Sequence, residues 1–192
     1  MTNSGEHLDA VVAEAVAGNQ GALSEVLAIV RPVVVRYCRA RLGTAERSGL
    51  SADDVAQEVC LAAITALPRY REQGRPFLAF VYGIAAHKVA DAHRAAARNR
   101  SEPTEVIPER PTFEAGPEQI ALDFESSERM KALLGILPEK QREILILRVV
   151  VGLSAEETAV AVGSSPGAVR VAQHRALTRL REEIIGAGRD YV

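Results

Sequence analysis

Between Gly152 and Arg170 the chain carries the stretch that most narrows what it can fold into. Ser154 and Glu157 stand three apart, the spacing at which each side chain satisfies a backbone N–H left open at a helix start. Gly163 offers a positive-φ helix stop, and Ser165 followed by Pro166 offers an N-cap and a preorganised first helical position. Helix, short turn, helix is the arrangement that places a second helix in the major groove of DNA. On that second helix Val169, Ala172, Ala176, Leu177, Leu180 and Ile184 form one apolar stripe, predicted to pack inward. Gly167, Arg170, Val171, His174, Arg175 and Thr178 share the opposite face, which has cations and small residues and no carboxylate before Glu182. Such a face suits base edges and phosphates, although a solvated basic face has the same composition.

The remainder reads as helices. Aromatic residues make up 4% of the 192, Trp is absent, and no segment shows strand-like alternation between turns. The fold class expected is all-α. A first helix is predicted from Glu6 to Ala17, after five disordered residues. A second runs from about Gln20 to Leu42, with Pro32 expected to kink or restart it. Ser51 caps a third, in which Val55, Val59, Ala62, Ala63 and Ala66 face inward, while Asp54, Gln57, Glu58 and Leu61 share a largely polar face. The loop from Pro68 to Pro76 is basic and contains Tyr70, Arg71 and Arg75. The helix after it, Phe77 to about Arg98, is aromatic in its first half and cationic in its second. Aromatics beside cations suit unstacked bases, though core aromatics followed by C-terminal cations would look the same.

Charge divides the chain into three. Lys plus Arg against Asp plus Glu is 12 to 10 over residues 1–100, 1 to 8 over 101–128, and 10 to 7 over 129–192. The overall balance of −2 therefore conceals two mildly basic flanks around an acidic middle. Residues 101–116, with Pro103, Pro108 and Pro111, read as a flexible acidic linker between helical domains at 6–100 and 117–185. Within the second domain, a helix is predicted from Pro117 to Leu137 and another from Glu139 to Val150.

Several classes of function find no support. The chain has no phosphate-binding loop, no nucleophile elbow and no metal-ligand spacing among His7, His87, His93 and His174, so no catalytic residue, metal or cofactor is assigned. No signal peptide or membrane-spanning run is present, and a cytoplasmic protein is expected. Cys38 and Cys60 form no CxxC pair and suit buried free thiols in a reducing compartment.

Four segments in order resemble an ECF (group IV) sigma factor of bacterial RNA polymerase, over nearly all of residues 8–185. Ser51–Leu61 is similar to the family's core-binding helix, and Phe77–Arg94 to its −10 recognition helix. Leu137–Leu145 and Gly152–Ala159, followed by Gly167–Arg170 and His174–Leu177, are similar to its −35-reading domain. The closer resemblance is to the actinobacterial sigma-D-like subgroup. It implies two domains, sigma-2-type and sigma-4-type. Asp54, Gln57, Glu58 and Leu61 would meet the clamp helices of the polymerase largest subunit. Arg71, Arg75, Phe77, His87, Lys88, Asp91 and Arg94 would capture and melt the −10 element, and Gly167, Arg170, Val171, His174 and Arg175 would read −35. The implied partners are core RNA polymerase, including the flap of its second-largest subunit, promoter DNA and an anti-sigma factor, with no small-molecule substrate and no membrane insertion. The chain departs from the family pattern at several positions. Phe80 and Ile64 stand where Trp is frequent, His87 replaces Asn, and Val171 replaces a polar contact. The rival reading is a one-component helix-turn-helix regulator with a helical sensing or dimerising N-terminal domain. A third is an all-helical protein-interaction module.

Overall fold

The computed structural model describes residues 3–43, 51–71, 76–99 and 129–189, and among these there is no strand. Four helices form the N-terminal half: α1 (Asn3–Val16), α2 (Gln20–Leu42), α3 (Ala52–Ala66) and α4 (Phe77–Asn99), with a short 3₁₀ turn, Leu67–Arg69, after α3. The C-terminal half contains α5 (described over 129–135), α6 (Glu139–Leu145), α7 (Ala155–Val162) and α8 (Pro166–Arg189). The linker predicted at 101–116, and the start of the helix predicted from Pro117, lie outside the described residues.

Helix α2 is the spine, packing against α1, α3 and α4. Val26, Val30, Val34 and Tyr37 recur at helical spacing and are buried along it. Pro32 does not restart α2, which is continuous to Leu42. Proline removes the hydrogen bond to the carbonyl four residues back. Here both Pro32 and Ala28 lie on the exposed face, so that carbonyl meets water. Helix α1 begins at Asn3 rather than Glu6, which places three of the five residues expected to be disordered inside it.

Helix α3 starts as its sequence predicts. Ser51 Oγ accepts from the Asp54 amide at 3.1 Å, and Asp54 Oδ2 accepts from the Ser51 amide at 3.0 Å. Arg39 of α2 grips Asp53 through two bonds of 2.8 and 2.7 Å, and this holds the Asp53 carboxyl below the usual carboxylate range.

In the C-terminal half, Arg142 donates to the carbonyls of Leu134 (2.9 Å), Gly135 (3.2 Å) and Leu137 (3.0 Å), tying down the chain where α5 ends. The helix predicted to run to Val150 remains α-helical only to Leu145 and then widens into a π turn, Ile146–Val151. Gly152, left-handed at φ 89°, closes it and donates to the Leu147 carbonyl. The inward stripe predicted for α8 holds at Val169 and Ala176, both fully buried. It fails at Leu177 and Ile184, which are 42% and 53% exposed. Helices α6 and α7 are short and pack on α8, whereas residues 181–186 are all exposed.

The largest apolar cluster runs through both halves. It joins Val34, Tyr37, Phe77 and Val81 with Leu137, Ile146, Leu147, Leu153 and Ala176. Helix α2 touches the π turn and α4 touches α7. A smaller cluster of Ile144, Ala155, Ala159 and Val169 binds α6, α7 and α8 together.

Candidate polymerase and nucleic-acid interface

Two surfaces carry the residues singled out from the sequence. On α3, Asp54, Gln57, Glu58 and Leu61 fall on one face at the i, i+3, i+4, i+7 spacing, and all four are exposed. Leu61 is 65% exposed, an apolar side chain without a described partner in the middle of a polar face. Beside it, α4 turns Val81, Ala85 and Val89 into the core and His87, Asp91 and Arg94 out to solvent, with Lys88 partly exposed next to them. Lys88 Nζ donates to Glu58 Oε2 at 2.8 Å, so the candidate sets on the two helices form one surface; Glu58 raises the Lys88 pKa above the usual lysine range. Asp91 pairs with Arg94 one turn on, which holds its carboxyl low.

Between α3 and α4 lies an open cleft of about 700 Å³, lined by Leu61, Thr65, Arg69, Tyr70, Phe80 and Lys88 among others. Its aromatic wall is built by contact. Tyr70 meets Phe77 edge-on at 5.1 Å between centroids and Phe80 at 5.3 Å, and Phe77 lies 6.0 Å from Phe80. Phe77 was predicted to touch DNA, but it is 1% exposed and buttresses the other two rings from the core. Arg71 folds back to donate to the carbonyls of Pro68 and Tyr70. Arg75 lies outside the described residues. Tyr70 and Phe80 are cleft residues that periodicity alone does not mark, because their role depends on two helices meeting.

The second surface is the helix-turn-helix. Ser154 Oγ accepts from the Glu157 amide at 3.0 Å and Glu157 returns the bond at 2.7 Å, completing the capping box. Gly163 is left-handed (φ 61°, ψ 52°), and Ser165 Oγ caps α8 by accepting from Ala168 at 3.2 Å. Helix α8 then presents Gly167, Arg170, Val171, His174 and Arg175, all exposed, with Val171 at 51%. Arg170 reaches back to Glu156 of α7 at 2.6 Å. The Glu156 carboxyl is held low by a backbone amide at its own position and by Arg170. The α8 face alone, free of carboxylates, gave no sign of this partner. Arg148 of the π turn secures α8 by donating to Gln173 at 3.0 Å and to the Leu153 carbonyl.

Among the described residues no group of three His, Cys, Asp or Glu side chains is placed to hold a metal ion. Burial pushes the Cys38 thiol up to about 12, so it is a poor nucleophile, and Cys60 is also buried and unpaired.

The Sigma-70 region 2 family matches residues 28–99, and the Sigma-70 region 4 family matches residues 127–180. The ECF RNA polymerase sigma factor SigD of Mycobacterium tuberculosis is 75% identical over 191 residues, covering 100% of this chain and 90% of its own. This chain belongs to the ECF RNA polymerase sigma factors. Its relatives place it in the SigD-like subgroup, and ShbA of Streptomyces griseus, also an ECF sigma factor, is 52% identical over 178 residues, 91% of this chain and 93% of its own. Among solved structures, CnrH in complex with the cytosolic domain of CnrY matches with a TM-score of 0.66 at 26% identity, over 92% of this chain and 96% of that one.

As an ECF sigma factor, the protein binds core RNA polymerase and directs promoter-specific initiation of transcription; it is an initiation factor, not a classical enzyme. The region 2 match falls on α2–α4 and includes the cleft surface, and the region 4 match includes the helix-turn-helix. A one-component regulator with a sensing N-terminal half is not favoured, because that half is sigma region 2. No described helix is long and apolar enough to cross a membrane.

Proposed function

We propose that the two exposed surfaces divide the work of initiation. Asp54, Gln57, Glu58 and Leu61 dock on the clamp helices of the polymerase largest subunit, with Leu61 as the apolar anchor inside a polar rim. The cleft surface, with His87, Lys88, Asp91 and Arg94 beside Tyr70 and Phe80, takes the −10 element, and Arg71 and Arg75 are assigned to the same contact set. Stacking on the aromatic wall compensates bases for leaving the duplex, and the neighbouring cations meet the backbone. Helix α8 reads −35 in the major groove. There Arg170 meets a guanine edge or a phosphate, and Val171 meets a thymine methyl. His174, Arg175 and Gly167 complete the contact set.

The supporting observation is that each of two sigma regions presents one exposed face suited to DNA, on helices whose opposite faces are core. The domains are assigned as 6–100 and 117–185, joined by 101–116. The sigma factor works in the cytoplasm without catalytic activity of its own, and the flap of the second-largest subunit receives region 4. An anti-sigma factor is a further partner; CnrH, of similar shape, was solved in complex with another protein's cytosolic domain.

Transcription from purified core polymerase tests the contacts. Arg170→Ala should lower use of a −35-dependent promoter roughly tenfold while leaving core binding intact. A promoter profile that Arg170→Ala leaves unchanged removes this residue from the −35 set.

A further inference from the structure

The face of α8 from Gly167 to Arg175 carries no acid of its own, but α7 sets one against it. Glu156 Oε1 accepts from Arg170 Nη2 at 2.6 Å, and the two side chains are 63% and 60% exposed. The pair therefore lies where DNA would arrive. Arg175, the other arginine of the same face, makes no ion pair among the described residues.

This pair is not what holds α7 to α8. The start of α7 is closed by Glu157, which accepts from the Ser154 amide, so the neighbouring Glu156 is not needed for the capping box. Gly163 and the Ser165 cap set the turn, and Ala155, Ala159 and Val169 are buried together beneath it. An exposed ion pair adds little to a contact already secured in these ways. Glu156 is itself well fixed: its own backbone amide, then Arg170, hold its carboxyl low, and Arg148 adds to the effect. It stays ionised and in place.

What Glu156 does control is the choice open to Arg170. A guanidinium offers five donors on a rigid planar fork, and one of its nitrogens is taken here, leaving the remainder for DNA. A phosphate oxygen coming to that fork brings negative charge beside the Glu156 carboxylate and is repelled. The O6 and N7 atoms of guanine are neutral acceptors and are penalised less. The first helix of a helix-turn-helix crosses the DNA backbone, so the acid stands on the side from which phosphates approach. Discrimination comes from weakening the wrong contact as much as from strengthening the right one.

We propose that Glu156 is a positioning residue that sets −35 specificity, holding the Arg170 fork away from phosphates and presenting it to a guanine edge. This rests on the assignment of α8 to the −35 element.

The test uses holoenzyme assembled from core polymerase and the full chain, with promoters carrying single −35 substitutions and one lacking the element. The base pair read by Arg170 is the one whose substitution Arg170→Ala no longer penalises. At that position Glu156→Gln should lower discrimination about threefold or more. On the promoter without a −35 element the same variant should bind more tightly at low salt. Its salt slope should steepen by about one, since Arg170 becomes free to neutralise a phosphate. The melting temperature of the free chain should move by no more than about 3 °C, a shift that a merely structural pair would share but that leaves discrimination and slope untouched. Combined with Arg170→Ala, Glu156→Gln should change neither readout. The inference is overturned if Glu156→Gln leaves both at wild-type values, or if it alters them equally in the Arg170→Ala background, where it could not be acting through the arginine. Should Arg170→Ala itself leave every −35 substitution as costly as before, the assignment of α8 fails first and takes this role of Glu156 with it.

Discussion

The two surfaces proposed to read the promoter are held in place by different means. The region 2 surface depends on tertiary packing: α4 is fixed by Phe77, Val81, Ala85 and Val89, and its cleft exists only because α3, the loop at Tyr70 and α4 converge. The region 4 surface depends far more on neighbouring residues. A capping box, a left-handed glycine and a serine cap set the angle between α7 and α8, and few side chains on α8 beyond Val169 and Ala176 are fully buried. A surface that must accept unstacked bases needs a shaped cavity with a rigid wall. A helix entering a groove needs only its direction fixed and its outer face clear. The contrast predicts that distant core damage should injure the first surface more, and local backbone damage the second.

The strongest test removes the buttress of the cleft. Phe77→Ala should destabilise the protein by about 3–5 kcal/mol, on the order of 10 °C in melting temperature. At temperatures where the variant remains folded, promoter melting at −10 should fall further than binding to a −35 duplex by the holoenzyme. Equal losses would erase the distinction. The converse substitution is Gly163→Val, which puts a β-branched residue at φ 61° with open space around it. The strain is therefore in the backbone, about 1–2 kcal/mol, and should appear as lost −35 dependence with −10 melting spared. The smallest effect is expected where the regions meet. Burial holds the His93 imidazole below its usual range, and Arg41 and Lys131 push it the same way, while the Arg41 carbonyl and Glu139 oppose. The folded state therefore binds fewer protons there than the unfolded one, so stability is lost as pH falls through about 6.5. Melting temperature should dip between pH 7.5 and 5.5, and His93→Gln should flatten part of that dip. Tyr37, Glu139 and Glu143 remain at the junction in the variant.

What could be read in advance follows the same division. Ser154, Glu157, Gly163 and Pro166 act on neighbours within four positions, so their spacing alone announces the turn and its caps. The Ser51 cap of α3 and the exposed quartet from Asp54 to Leu61 were legible for that reason. Periodicity, however, reports which residues share a face and not how far the partner extends. Leu177 and Ile184 continue the apolar stripe of α8 into a part of the helix where it is exposed. Pro32 was misleading in the opposite way, since its disruptive potential depends on whether the orphaned carbonyl faces core or water. Phe77 matched a DNA-contacting motif, yet its burial is settled by Tyr70 and Phe80. No rule of spacing links Tyr37 to Glu143 or Lys88 to Glu58, because those pairs arise from packing.

The π turn at Ile146–Val151 bears on how this lineage can vary. A π turn is an α-helix carrying one residue more than its pitch accommodates. Here the surplus surfaces as Val149 and Val150, both exposed, while Ile146, Leu147 and Val151 stay buried on either side. The turn sits immediately before the helix-turn-helix, tied to α8 through Arg148 and Gln173. It gives the chain a place to lose a residue without rephasing the helices that follow. A relative one residue shorter in this region is expected to have shed it at Val149 or Val150, its recognition helix arriving at the groove unchanged.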